Sequence, residues 1–371
     1  MSRRFSAVFL VVLALGATSG FSQDTATNRA SASVDRSWRE YPVPGWSIVV
    51  AQHGRIVFSK AVGLADIEKK RPARADTVYD MGSVSKANTA VAIMQLYEEG
   101  KVNPDDPIQK YVPSFPDKGY KITIWNLLTH TSGIRHYHAS DFPGDENTKP
   151  YHSLAEAITI FKDDPLLFKP GQFYSYSSYG INLLQGVAEK ASGLPFEEYM
   201  RWYVWGPAGM KDTAFDVPGR SFAHRAKSYV RKDGKEVEFQ NSDLTYKFAS
   251  GGMVSTAEDL ALLGIALLHG KLLKLQTLEL MWKPSLPDNM LQYTEGKPPH
   301  KMGFQQGLVW RLMKDKKGRR IAYHCGSVEA FGACLLIYRD DDLVVADMTN
   351  GPGSGGYPSS EELADVFLGP K

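Results

Sequence analysis

The sequence predicts an α/β protein of the α+β kind, with an antiparallel five-stranded sheet flanked by helices and an all-helical lobe inserted into it. Strand-period apolar residues gather at the two ends of the chain, and helix-period apolar residues fill the middle. The 371 residues are 43% hydrophobic, enough to bury a substantial core.

Residues 46–52, a His53-Gly54 turn and residues 55–63 read as a hairpin, with Ile48, Val50, Ile56 and Phe58 at strand spacing. Ser83 opens a segment in which Ala87, Ala90, Val91, Met94 and Tyr97 recur at helical spacing, and Gly100 stops it. Ser153 with Glu156, Ser255 with Glu258, and Ser359 with Glu362 match capping boxes that mark further helix starts. The tyrosines around Trp202 and Trp205 have mixed helical spacing and read as core or lobe interface. Strands return at 303–312, 321–326, 333–339 and 343–350, followed by a loop at 351–356 and a last helix. Pairing the hairpin with three C-terminal strands gives a sheet lobe of 42–80 and 244–371 around a helical lobe of 81–243.

The N-terminus carries Arg3 and Arg4, an apolar run from Ala7 to Ala17, and small residues up to Ser22. That order predicts a signal peptide over 1–22, a polar leader over 23–41, and a periplasmic or secreted protein. The run is short for a bilayer span, so no stable membrane insertion is expected after cleavage; an uncleaved anchor is the alternative. The formal charge of +2 includes Arg3 and Arg4, so the remaining chain is neutral and no nucleic acid is expected as a partner. Cys325 and Cys334 are too few for a disulfide framework and read as two small buried residues, with a bridge across a hairpin left open.

Ser83-Val84-Ser85-Lys86 is the only S-x-x-K in the chain. On a helix the two ends of this motif share a face, so the Lys86 amine reaches the Ser83 hydroxyl, a weak nucleophile until a base takes its proton. Alone the motif is weak, because composition predicts about one occurrence by chance. Two further elements follow in order: Phe173-Tyr174-Ser175-Tyr176-Ser177-Ser178 ahead of a helix, and His324-Cys325-Gly326-Ser327 on a strand. His136 and His138 lack a third ligand at suitable spacing and read as loop or surface residues, so no metal is expected.

With these three elements the chain resembles the superfamily of serine β-lactamases, penicillin-binding proteins and esterases, whose motifs are S-x-x-K, Y-x-N and [KH]-x-G. The resemblance runs from about Pro44 to about Asn350 and includes the stretches 79–86, 127–133, 207–213 and 251–260. It implies the β-lactamase/transpeptidase-like fold, no cofactor, and Ser83, Lys86, Tyr176 and His324 as catalytic residues. Ser83 would attack a carbonyl, and either a Tyr176 phenolate favoured by the Lys86 ammonium or a neutral Lys86 would take its proton. The backbone N–H groups of Ser83 and Ser327 would form the oxyanion hole. His324 would orient Tyr176 or the substrate's polar tail, and Ser178 and Gly326 would line the substrate.

Two departures bear on the substrate. Ser178 stands where the family has Asn, and His324 supplies no permanent cation for a β-lactam carboxylate. Both fit peptidases and esterases better than efficient β-lactamases, and the run 131–137 with a Tyr-Ser-small second motif looks closest to the mitochondrial lactamase-like serine proteases and their bacterial relatives. The expected partner is a peptide or small-molecule substrate. A β-lactamase or D,D-carboxypeptidase, a small-ester esterase and a non-catalytic scaffold are the alternatives, and the oligomeric state is left open.

Overall fold

His53 and Gly54 both take positive φ (52° and 73°), as a tight two-residue hairpin turn requires, and join β1 (Gly45–Gln52) to β2 (Arg55–Asp66). The computed structural model describes residues 17–142, 147–239, 242–328, 330–351 and 359–369. The hairpin lies in one sheet with β3 (Arg71–Pro72), β4 (Gln305–Gln306), β5 (Arg311–Lys314), β6 (Arg320–Val328), β7 (Phe331–Tyr338) and β8 (Leu343–Thr349). The order is β4-β5-β6-β7-β8-β1-β2-β3, with all pairs antiparallel. The chain's two ends meet where β1 pairs with β8, from Trp46 opposite Thr349 to Gln52 opposite Leu343.

The five expected strands form the centre of this sheet, but eight strands are present. The stretch 303–312 is not one strand: β4 and β5 flank a turn in which buried Val309 takes φ 70°. That conformation is costly for a β-branched residue. The Val309 N–H donates to the Leu128 carbonyl at 2.6 Å, and Gly307 N–H donates to the Trp310 carbonyl at 2.8 Å, so the surroundings hold the turn in place.

Strand alternation divides the sheet's side chains between two cores. On one face Val49, Ala51, Ala322, Leu335 and Val344 meet the helical lobe and α4 (Ala257–Leu268). On the other, Ile48, Val50, Phe58, Ile321 and Val345 lie under α1 (Ala17–Glu40) and α5 (Ser359–Leu368), which contribute Ala30, Val34, Leu363 and Ala364. The expected leader is therefore helix, packed on the sheet through its later turns. It spans the expected cleavage point, whereas the charged and apolar start of the signal reading, residues 1–16, lies outside the described residues, as do 352–356 of the expected loop. Among the described residues no helix is long and apolar enough to cross a membrane. Cys325 and Cys334 face each other across β6 and β7 on the α1 and α5 side and are joined by a disulfide, in place of two free buried thiols.

The inserted lobe is built on α2 (Ser85–Glu98) packed against α3 (Ser178–Ser192). It is not all-helical. Residues Tyr229–Lys232 and Lys235–Glu238 form a hairpin, and Ala214–Phe215 joins Met253–Ser255 and Tyr79–Asp80 in a small three-stranded sheet. Ser153 caps its helix as expected, accepting from Glu156 N–H, whereas the cap of α4 is Thr256 and not Ser255, because it is the Thr256 hydroxyl that reaches Asp259 N–H. Ser359 begins α5, and its side chain lies outside the described residues. Trp205 is buried, but Trp202 is 62% exposed on the π-helical turn Met200–Trp205, so only one of the two is core.

Candidate active site

Gly82 (φ 49°) opens a 3₁₀ turn, Gly82–Val84, that leads directly into α2 and carries Ser83 at its centre. Residue 83 thus sits in a turn ahead of the helix, not in its first α-helical position. The approach of β6 to this turn explains two glycines. A Cβ on Gly326 would overlap the Met81 carbonyl and lie 2.5 Å from Ser83 N, and one on Gly82 would lie 2.9 Å from the Ser327 carbonyl carbon. With no side chain at either position, the backbones of Ser83 and Ser327 come together as an oxyanion hole requires.

One turn on, Lys86 is fully buried, its Nζ 2.9 Å from Ser83 Oγ and donating to the Ser250 carbonyl at 2.5 Å. The Tyr176 hydroxyl hydrogen-bonds Ser83, and its ring lies 4.9 Å from Lys86 Nζ. Burial acts on both groups in the same sense: it pushes the Lys86 amine well below its usual range, aided by Lys247 and Arg311, and raises the Tyr176 phenol above its usual range. An ammonium–phenolate pair and an amine–phenol pair hold the same number of protons, and enclosure by protein favours the uncharged one. Of the two expected pairings, burial thus favours the amine–phenol pair over a Tyr176 phenolate beside a Lys86 ammonium.

His324 is buried and its ring centre is 6.5 Å from that of Tyr176. Its hydrogen bond runs not to Tyr176 but to the Cys325 carbonyl, 2.8 Å from Nδ1. A carbonyl only accepts, so Nδ1 carries the proton and the buried Nε2 is an acceptor with no protein partner among the described residues. Burial, aided by the Arg311 guanidinium, depresses this imidazole well below its usual range, which makes it neutral. It is therefore an acceptor at Nε2, not a cation.

The structure adds four residues that the motifs did not identify. His130, buried at φ 56°, packs tilted against Tyr176 with ring centres 4.6 Å apart and accepts Ser177 N–H at Nδ1 (3.2 Å). His136 lies in a loop as read, but a half-buried one: it accepts Ser178 N–H at Nδ1 (3.2 Å), faces Tyr176 at 5.4 Å and is held well below its usual range, chiefly by burial. Ser178 itself is buried at the start of α3, its backbone tied to His136. The other two are Lys247 and Arg311. The Arg311 guanidinium lies 4.9 Å from the Phe304 ring centre and 5.9 Å from that of Tyr176, with no carboxylate paired to it among the described residues. Only His130 and His136 could have been flagged in advance, since they fall in stretches that resemble the superfamily; Lys247 and Arg311 belong to no motif and arrive through tertiary folding. His138 bonds Glu295 (2.9 Å), and the described residues hold no cluster of three side chains able to ligate a metal.

The human mitochondrial serine beta-lactamase-like protein LACTB is 28% identical over 81% of this chain and 70% of its own length. Esterase EstB of Burkholderia gladioli is 34% identical over 53% of each chain. The octameric penicillin-binding protein homologue from Pyrococcus abyssi superposes with a TM-score of 0.77 at 27% identity, over 92% of this chain and 77% of that one. A family model described as Beta-lactamase matches residues 30–367, so the chain that brings Ser83, Lys86 and Tyr176 together belongs to the beta-lactamase family.

Proposed function

We propose that the protein is a serine hydrolase that cleaves an amide or ester through an acyl-enzyme, with a peptide as its substrate. The observation that carries the reading is the 2.9 Å approach of buried Lys86 to Ser83 Oγ, in a place where burial pushes the amine well below its usual range and so favours its free lone pair. As Oγ attacks the carbonyl carbon, its proton passes to the Lys86 lone pair, and the oxygen that becomes negative is received by the N–H groups of Ser83 and Ser327. Collapse of the tetrahedral species expels the leaving group, which takes a proton from the Lys86 ammonium through the Tyr176 hydroxyl. Water then attacks the Ser83 ester, Lys86 takes one water proton, and the same proton returns to Ser83 as the acid leaves. A scaffold that had merely kept the fold has no reason to retain Ser83, Lys86, Tyr176 and the His324-Cys-Gly element together.

A second reading, a β-lactamase or D,D-carboxypeptidase, is favoured by Arg311. It supplies beside Tyr176 the permanent cation that a neutral His324 does not, which suits a substrate with a carboxylate near the scissile bond. The two readings are separated by turnover of a panel of peptides, simple esters and a chromogenic cephalosporin. The proposal expects peptide or ester hydrolysis that disappears in Ser83→Ala and slow cephalosporin turnover; efficient cephalosporin turnover would put the second reading first. We also propose export, on the Arg3-Arg4, apolar and small-residue order of residues 1–22.

A further inference from the structure

Lys247 closes the 3₁₀ turn Thr245–Lys247 and is buried. Its carbonyl accepts the N–H groups of Ser250, Gly251 and Gly252 at 3.0, 2.8 and 3.0 Å, and so shapes the turn whose Ser250 carbonyl receives Lys86 Nζ. Its ammonium lies 5.2 Å from the ring centres of both Tyr137 and Tyr246. Its stem runs along Gly251, where a Cβ would stand 3.5 Å from Lys247 Cδ and 3.9 Å from the carbonyl carbon of Gly82, the residue before Ser83. Lys86 and Lys247 are therefore both buried against the same turn, Lys86 through the Ser250 carbonyl and Lys247 through its stem at Gly251.

We propose that Lys247 is a positioning residue of the acyl-transfer site: its charge, seated on Tyr137 and Tyr246, acts through Lys86 to keep that amine unprotonated and ready to take the Ser83 proton. The inference rests on the serine-hydrolase reading above. Two ammonium groups buried against one turn repel, and the proton stays where it is better compensated. Lys247 has two aromatic faces for its charge, whereas Lys86 has the Ser83 hydroxyl, one carbonyl and the Tyr176 ring. The other groups facing Lys86 do not reverse this. Tyr176, His130, His136 and His324 are neutral, and Arg311, approaching from β5, adds to the repulsion.

The test is the rate of Ser83 labelling by a fluorophosphonate as a function of pH, for the wild type, Lys247→Met and Lys247→Arg. Removing the charge while keeping the stem should move the midpoint of the acid limb toward higher pH. Labelling at the wild-type midpoint then slows by about threefold to tenfold and recovers at alkaline pH. Lys247→Arg should keep the wild-type midpoint. A Lys247→Met limb at the wild-type position, or one depressed equally at every pH, would overturn the inference. Should that variant fail to fold, a displaced midpoint in Lys247→Arg would do so. Absence of labelling in the wild type is a different result and speaks against the serine-hydrolase reading itself.

Discussion

Arg311 changes the substrate expectation more than any other single residue. The His324 element alone suggests a site with no fixed cation. The Nδ1 bond from His324 to the Cys325 carbonyl strengthens that view, since it leaves the buried Nε2 only an acceptor. Arg311 then brings a guanidinium to 5.9 Å from the Tyr176 ring centre. A charge-assisted hydrogen bond to a buried carboxylate is worth roughly 1.5–3 kcal/mol, or about one to two powers of ten in kcat/KM. Arg311→Met should therefore lower kcat/KM for a carboxylate-bearing substrate relative to its neutral amide by about tenfold to a hundredfold. Kinetics on the matched pair would check this, and an unchanged ratio would remove Arg311 from substrate recognition. No pattern in the sequence marks this residue: its position depends on the turn at Val309, which in turn depends on the Leu128 carbonyl more than a hundred residues earlier.

At the scale of elements, Asp259 shows how the helical lobe is tied to the sheet. It stands in the first turn of α4, where its carboxylate accepts Lys211 N–H (3.2 Å), Asp212 N–H (2.8 Å) and the Thr213 hydroxyl (2.8 Å). Burial nonetheless raises it from 3.8 to about 6, with those bonds only partly offsetting the effect. Because the folded-state value lies above the ordinary one, its contribution to stability is fully present below about 3.8 and is lost as pH rises through about 6. Asp259→Asn, neutral throughout, should be less stable than the wild type at pH near 4, with the gap narrowing by up to roughly 3 kcal/mol by pH near 8. Urea midpoints at the two pH values measure it, and a constant gap would show that the carboxylate is not destabilised by burial. The sequence locates this helix start to within one residue. The choice between Ser255 and Thr256 as cap turns on backbone direction at the end of a short strand, which a capping pattern does not encode.

Over the whole molecule, what was legible in the sequence follows how local each signal is. The β1–β2 hairpin, α2 and the central strands carry period and turn chemistry within a few residues of themselves, and they stand where the spacing put them. The two-residue edge strands and the small strands inside the lobe are too short to carry a period, and their pairing is decided by distant partners such as Tyr79 opposite Ser255. The helical leader was missed because only a few of its residues, Ala30 and Val34 among them, face the sheet, so its apolar stripe is thin. The three motifs bring their residues to one place. The protonation of that place was not legible, because burial of Lys86 and Tyr176 and the nearness of Lys247 and Arg311 are properties of the folded chain. All of this converges on Ser83, and the most direct measurement is intact mass after exposure to a fluorophosphonate. The account predicts a single adduct on the wild type, mapped to Ser83 and absent from folded Ser83→Ala. A folded wild type that gains no mass, or an equal adduct on Ser83→Ala, would contradict it.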